Sequence, residues 1–278
     1  MLKSALRGIL DAGECEELVS AFDQIGDIII VRIPDSLLPR KEIIGRTLLQ
    51  EVKTARSVFY QSSAVRGDFR TRSLEILAGE DRTETAYRES GCRFTVDVEN
   101  AFFSPRLSTE RGRIAGLVAD GETILNMFAG IGMFSIMMAK KKQCRVYSID
   151  INPVASSLCE RNIRSNKLLG QVISINGDAQ KIVEKEFAGT ADRTLMLLPE
   201  RSDEFLDVAI NATKDGGIIH YYSHIHADKK SDAAILSERH LMQESRVNMK
   251  IIGSRIVRPV GPRYYQTVVD AKISKSVL

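Results

Sequence analysis

Two hydrophobic rhythms divide the chain. Up to about residue 100, short apolar runs are irregularly spaced and broken by polar turns. The β-branched run from Gly26 to Pro34 predicts a strand closed by proline, and Ile43, Ile44, Leu48 and Val52 mark a helix over 41–55. Further short strands are expected at 57–60, 83–88 and 92–98. From about Ile124 the rhythm becomes regular. Strands are expected at 124–128, 145–150, 171–175, 194–198 and 217–222, with helices between them at 133–140, 153–166, 181–187 and 203–212. A helix over 230–244 and a last pair of strands, about 247–257 and 264–273, close the series. Repeated strand–helix units imply a parallel sheet with helices on both faces and a ligand at the carboxyl ends of the strands. The final pair, joined through Pro259-Val260-Gly261-Pro262, implies an antiparallel edge. The organisation is therefore a small N-terminal α+β domain, 1–99, followed by an α/β domain, 100–278.

With 44% apolar and 27% charged residues in 278, wholesale disorder is excluded. The net charge of +3 is too small to name a partner, but its distribution is uneven. Residues 245–278 hold seven Lys or Arg against one acid, Asp270, a composition that attracts a polyanion. The four cysteines form no C-x-x-C pair and read as reduced thiols of a cytoplasmic protein. Leu2, Leu6, Ile9 and Leu10 fall at helical spacing without the apolar core of a targeting segment. The most apolar stretch, 127–139, is too short to span a bilayer, so neither a membrane nor a targeting role is expected. A monomer is expected.

The chemistry is expected after the first strand of the second domain. There the sequence Asn126-Met127-Phe128-Ala129-Gly130-Ile131-Gly132-Met133 runs from strand through a glycine turn into a helix, so backbone can approach a ligand closely. The third glycine of a dinucleotide fingerprint is missing. Asp150 follows at the end of the next strand, where a carboxylate can accept both ribose hydroxyls of an adenosine, and Asp178 stands where an adenine amino group would lie. Together with the antiparallel edge, these features favour a Rossmann-like S-adenosylmethionine (SAM)-dependent methyltransferase sheet over an NAD-dependent dehydrogenase. Asn126, Phe128, Ala129, Gly130, Gly132, Asp150 and Asp178 are the cofactor-binding candidates.

Four segments now carry a resemblance. They are Phe103 to Arg111, the Phe-Ala-Gly-Ile-Gly turn, Asp150-Ile151-Asn152-Pro153, and Gly216 to Tyr222. In this order they resemble the archaeal and eukaryotic tRNA (guanine-37-N1)-methyltransferases, whose close relatives include the wybutosine-pathway aminocarboxypropyl transferases. The resemblance runs from about Gly26 to Lys272 and leaves no room before Gly26 for the extra N-terminal domain of longer members. It implies methyl transfer from SAM to N1 of guanine 37 in the tRNA anticodon loop. N1 carries a proton, so the reaction needs a base, and a cation must hold the charge that grows on O6. The resemblance assigns the base to Glu110 and the cation to Arg70, and implies substrate contacts from Arg106, Arg111, Leu197, Pro199 and Arg263.

Two positions depart from the family pattern. Asn126 stands where the methyltransferases usually carry Asp, which keeps hydrogen bonding and loses a charge. Leu197, in Met196-Leu197-Leu198-Pro199, replaces the Asn that contacts the target guanine. Leu197 moves weight toward aminocarboxypropyl transfer, whereas Asp150 and the Pro262-Arg263-Tyr264-Tyr265 ending move it back. Both departures together also admit a non-catalytic RNA-binding paralogue. His220, His224 and His226 have no Cys or acid at a credible spacing and are read as loop and substrate-pocket residues, not as metal ligands. Tyr264 and Tyr265 are expected on the edge strand.

Overall fold

The computed structural model describes residues 2–19, 21–63 and 71–275, and it divides the chain into two compact units, Met1–Phe103 and Ser104–Leu278.

In the first unit, helical spacing at the N-terminus yields only α1 (Leu2–Ala5), because the chain turns at Gly8 with φ +88°. Leu6 and Leu10 are nevertheless buried in the core. The short helix α2 (Ala12–Glu17) is closed by an Asp11–Glu14 capping box. Strands β1 (Phe22–Ile25), β2 (Ile28–Val31), β3 (Ser57–Gln61) and β4 (Leu74–Gly79) form one sheet in the order β1-β2-β3-β4. The helix α3 (Lys41–Glu51) crosses over between the parallel pair β2 and β3. Its Ile44 and Leu48 pack with Ile29, Val31, Val58 and Leu77. Gly45 lets α3 lie close to β4, since a Cβ there would sit 2.4 Å from the Leu77 Cβ. Strands β5 (Glu84–Glu89) and β6 (Cys92–Asp97) form a separate hairpin. Neither β1 nor β4 was expected, because each is too short and too mixed in character to show a period of two.

The second unit begins with α4 (Ser108–Leu117) and continues β7 (Thr123–Asn126), α5 (Met133–Lys141), β8 (Arg145–Asp150), α6 (Pro153–Arg164) and β9 (Gln171–Asn176). It proceeds through α7 (Ala179–Glu186), β10 (Ala191–Met196), α8 (Leu206–Ala212) and β11 (Thr213–His226), then ends with α9 (Ala233–Glu244), β12 (Asn248–Gly261) and β13 (Tyr264–Ser274). The strand order is β12-β13-β11-β10-β7-β8-β9, with β13 antiparallel to both its neighbours and the inner strands parallel. Strand order reverses between β7 and β10, the position where open α/β sheets bind ligands. Tyr264 and Tyr265 therefore lie on the second strand, since β12 is the outermost. β11 is also longer than its apolar run, because pairing with β13 continues to His226↔Tyr264.

The two faces of this sheet differ in kind. Leu125, Ile149, Met196, Ile219, Tyr221, Val269 and Ala271 meet α7, α8 and α9 in one apolar core. Their strand neighbours Asn126, Ser148, Arg193, His220, Tyr222 and Asp270 point the other way, toward the face that α4 and α5 cover. Most of these polar side chains are wholly buried, so each requires a partner.

Candidate active site

The first cluster is the glycine turn between β7 and α5. The Gly130 N–H donates to Asp150 at 2.6 Å, and the Asn152 N–H donates to the other Asp150 oxygen at 2.9 Å. One carboxylate thus fastens the turn and the β8 terminus together, and each oxygen keeps lone pairs for further donors. Burial pushes the Asp150 carboxyl above its ordinary range, against the pull of these two N–H groups. Gly132 has φ +84°, and a Cβ there would lie 2.5 Å from the Cys159 sulfur. The absence of a Cβ lets α6 pack closely against the turn. Asn126 is fully buried, donates to Ser135 of α5 at 3.1 Å and supports the turn from beneath. Ser148 donates to the same Ser135 hydroxyl at 2.7 Å, so a neutral residue suits this site. Phe128 packs edge-on against Phe205, Ala129 is buried, and Asp178 caps α7 by accepting from the Gln180 N–H at 2.9 Å.

The second cluster surrounds Glu110, in the first turn of α4 and only 3% exposed. Arg113, one turn on, donates to both its oxygens, at 2.7 and 2.9 Å, and Tyr222 donates its hydroxyl at 2.6 Å. Arg113 also donates to both oxygens of Asp270. Asp270 lies across the sheet from His220, its cross-strand partner, with 2.5 Å between its carboxylate and Nδ1. The other ring nitrogen of His220 is 2.7 Å from Arg193, which is paired with Glu122 at 2.8 and 2.9 Å. A guanidinium can only donate, so His220 accepts at Nε2 and carries its proton on Nδ1, toward Asp270. His220 is therefore a fully buried member of this chain of polar groups, not a pocket residue. Burial lowers its basicity, as does Arg193. Burial raises the carboxyl of Asp270, but the bonds from His220 and Arg113 outweigh this and hold it well below the usual carboxylate range. Burial and Glu110 push the Tyr222 hydroxyl far above its ordinary value.

The remaining candidates are dispersed. Arg70 lies outside the described residues. Arg111 is 2% exposed and donates to the Ser104 carbonyl at 3.0 Å, which braces the loop before α4. Arg106 is exposed. Leu197 is half-buried just after β10. Pro199 lines a cleft of about 610 Å³ with Asp203, Tyr221, His224, His226 and His240. Arg263 is exposed in the β12–β13 turn, where it pairs with Asp228 at 3.1 Å. Sequence reasoning missed Arg113, Tyr222, Asp270, Arg193 and Glu122. Asp270, a charge within Val268-Val269-Asp270-Ala271, was the available signal, whereas Arg193 stands beside Asp192 at the start of β10 and gave none. Among the described residues, no group of three or more His, Cys, Asp or Glu is placed to hold a metal ion.

A sheet reversing beside a glycine turn, with a buried carboxylate at the next strand end, defines an α/β domain of the nucleotide-cofactor-binding class. The model of the TRM5/TYW2 methyltransferase domain matches residues 85–250, and that of the TYW2 N-terminal domain matches 2–83. The chain belongs to the TRM5/TYW2 methyltransferase family. It is 39% identical over 257 residues to the tRNA (guanine(37)-N(1))-methyltransferase Trm5b of Pyrococcus abyssi, covering 92% of this chain and 76% of the relative. It is 33% identical to the tRNA(Phe) (4-demethylwyosine(37)-C(7)) aminocarboxypropyltransferase of Methanocaldococcus jannaschii, covering 91% and 98%. A solved complex of aTrm5 with tRNALeu superposes with a TM-score of 0.84 at 34% identity, covering 98% and 78%. M. jannaschii TYW2 in complex with AdoMet superposes at 0.67 with 28% identity, covering 91% and 99%.

Proposed function

We propose that this protein transfers the methyl group of SAM to N1 of guanine 37 in tRNA. The observation that carries the reading is the Glu110 carboxylate, buried at the start of α4 and oriented from two sides by Arg113 and Tyr222. The 39% identity to a guanine-N1 methyltransferase supports the same reaction. The residues of the glycine turn suit the cofactor: Asp150 retains acceptor capacity at the β8 end, and Gly130 leaves the backbone open to close approach. When bound, SAM supplies an electrophilic methyl group. The chain supplies the rest. Asp150 would hold ribose hydroxyls, the turn the amino-acid portion, and Asp178 an adenine amino group. Glu110 accepts the N1 proton as the base lone pair turns toward the methyl group. Its three described hydrogen bonds occupy three of about four acceptor positions of a carboxylate and leave one for that proton. Arg70 holds the charge on O6, and Arg106 and Arg263 meet the anticodon-loop backbone. The free thiols suit a cytoplasmic enzyme, and a monomer is the proposed working state.

Aminocarboxypropyl transfer to a wyosine precursor is the second reading. It is favoured by Leu197, which cannot hydrogen-bond a guanine, and by the match of residues 2–83 to a TYW2 N-terminal domain. Mass spectrometry of tRNA nucleosides after incubation with SAM separates the two products. Glu110→Gln keeps shape and removes the basic oxygen. It should leave SAM and tRNA affinity intact and slow single-turnover methylation of a G37 transcript about 10²–10⁴-fold. Wild-type speed in that variant rules out Glu110 as the base.

A further inference from the structure

Pairing with a guanidinium normally makes a carboxylate a poor base, yet Glu110 is bound to Arg113 through both oxygens. The rest of the chain of polar groups resolves this. Arg113 is shared with Asp270, and Arg193 is taken up by Glu122. Three carboxylates thus face two guanidiniums around a neutral imidazole, which leaves one negative charge in excess.

Resting on the reading of Glu110 as the base, we propose that Asp270, oriented by His220 and Arg193, is a positioning residue: it is the permanent counter-ion of Arg113, and it lets Glu110 take up and release the N1 proton without leaving a buried cation uncompensated. When the proton moves from N1 to the remaining lone pair of Glu110 Oε2, Arg113 keeps its ion pair with Asp270, so the charge on these groups falls from one excess negative to zero. When the proton leaves, the pair with Glu110 is restored. Were Asp270 absent, neutralising Glu110 would strand the Arg113 guanidinium in a site where only 17% of its side chain is exposed. The ordering of the groups fits this role. His220 donates from Nδ1 and cannot rotate to offer Nε2, because Arg193 occupies that nitrogen. Arg193 donates to His220 Nε2, which leaves that nitrogen no proton, and the bonds from His220 and Arg113 hold Asp270 below the usual carboxylate range, so the spare charge stays on Asp270.

Among the described residues, the other titratable or charged groups around Glu110 are these. Tyr222 of β11 donates to it, His220 and Asp270 stand behind Arg113, and Arg106 and Arg111 flank it in the chain. Helix α5, which packs on α4, carries its only charges in its last turn, Lys140 and Lys141. The pH dependence of turnover should therefore answer to Asp270 and Tyr222 with opposite sign. Asp270→Asn gives Arg113 wholly to Glu110, which makes Glu110 a weaker base. Tyr222→Phe removes a donor from Glu110, which makes it a stronger one.

The test is single-turnover methylation of a G37 transcript across pH, with saturating SAM and enzyme. Asp270→Asn should slow the plateau about tenfold or more and move the acid limb to lower pH. Tyr222→Phe should move the acid limb to higher pH. Equal losses of rate and thermal stability in both variants, on an unmoved pH profile, would reduce the chain to scaffold and overturn the proposal. The wild-type protein gives an independent readout if Asp270→Asn does not fold. Nitrogen-15 spectra should show His220 as the Nδ1–H tautomer, unchanged through the range in which an ordinary histidine titrates. Protonation of His220 in that range would cancel the spare charge and overturn the proposal. Full speed in Glu110→Gln is a separate result, because it removes the base reading itself whatever the other variants do.

Discussion

The glycine turn and the Glu110 centre are built on one sheet by opposite means. At the turn, a single carboxylate is held by backbone N–H groups, and the buried side chains beneath it, Asn126, Ser135 and Ser148, are neutral. Around Glu110, side-chain charges hold one another: Arg113 between Glu110 and Asp270, Arg193 between His220 and Glu122. The difference fits the two tasks proposed for them. A cofactor site needs fixed donors and acceptors around a bound molecule, and backbone groups cost no reorganisation. A site that exchanges a proton must change its charge, and a buried change of charge is tolerable only where another charge remains to balance it.

The comparison is broken most severely at Arg113. Arg113→Met keeps the apolar stem but leaves Glu110 and Asp270 facing each other without their shared cation. Breaking a buried ion pair costs about 3–5 kcal/mol, so denaturant unfolding should show a loss of that size. A loss below about 1 kcal/mol would mean that the pairs behave as surface contacts do.

At the turn the largest effect is steric. Gly132→Ala places a Cβ 2.5 Å from the Cys159 sulfur on a backbone with φ +84°. Left-handed strain and overpacking together predict a loss of about 2–4 kcal/mol. Cys159 is a packing group: burial pushes its thiol up to about 11, far from the range of a reactive thiolate. Adding Cys159→Ala should recover the steric part and leave the strain. Failure of the double variant to recover any stability would show that backbone strain alone carries the cost.

Asp150→Ala unpairs the Gly130 and Asn152 N–H groups and removes the proposed ribose acceptor. SAM affinity in calorimetry should weaken by about 1–3 kcal/mol. Unchanged affinity would leave Asp150 as a fastener of the turn and nothing more.

The two regions also differ in how far the sequence reveals them. Gly130 and Asp150 stand twenty positions apart in consecutive strand–turn units, so a local pattern fixes both their elements and their meeting. The members of the Glu110 chain come from α4, the residue before β7, β10, β11 and β13, and Asp270 joins them only because β13 inserts between β11 and β12. Asp270 within Thr267-Val268-Val269-Asp270-Ala271 is visible as a charge in an apolar strand, but its partner is set by register: His220↔Asp270 follows from pairing, not from spacing. Arg111 and Arg113 show the same limit. Both are arginines in the first turns of α4, and only helical phase sends one to the Ser104 carbonyl and the other to two carboxylates. Strands β1 and β4 escaped for a simpler reason, since four to six residues without alternation carry no periodic signal.

The smallest effect on stability is expected where the chain is most unusual. Arg263 adopts φ +56° in the turn between β12 and β13, a conformation that costs a residue with a Cβ about 1–2 kcal/mol. Its contact with Asp228 does not explain the choice, because the two side chains are 67% and 78% exposed and such pairs contribute about 0–1 kcal/mol. Glycine would relieve the strain and lose about 0.5–1 kcal/mol to backbone entropy, so Arg263→Gly should change stability by less than about 1 kcal/mol. Removal of Arg263 should therefore barely register in the fold, and its proposed role is tested in binding. If Arg263 meets a phosphate of the anticodon loop, Arg263→Gly should weaken tRNA binding and reduce the slope of log affinity against log salt by about one. Because the backbone carbonyl of residue 263 still accepts from Ala227 in that variant, the hairpin itself is kept. An unchanged salt slope with unchanged stability would remove Arg263 from the RNA interface. A large loss of stability would instead show that the turn depends on the Asp228 pair.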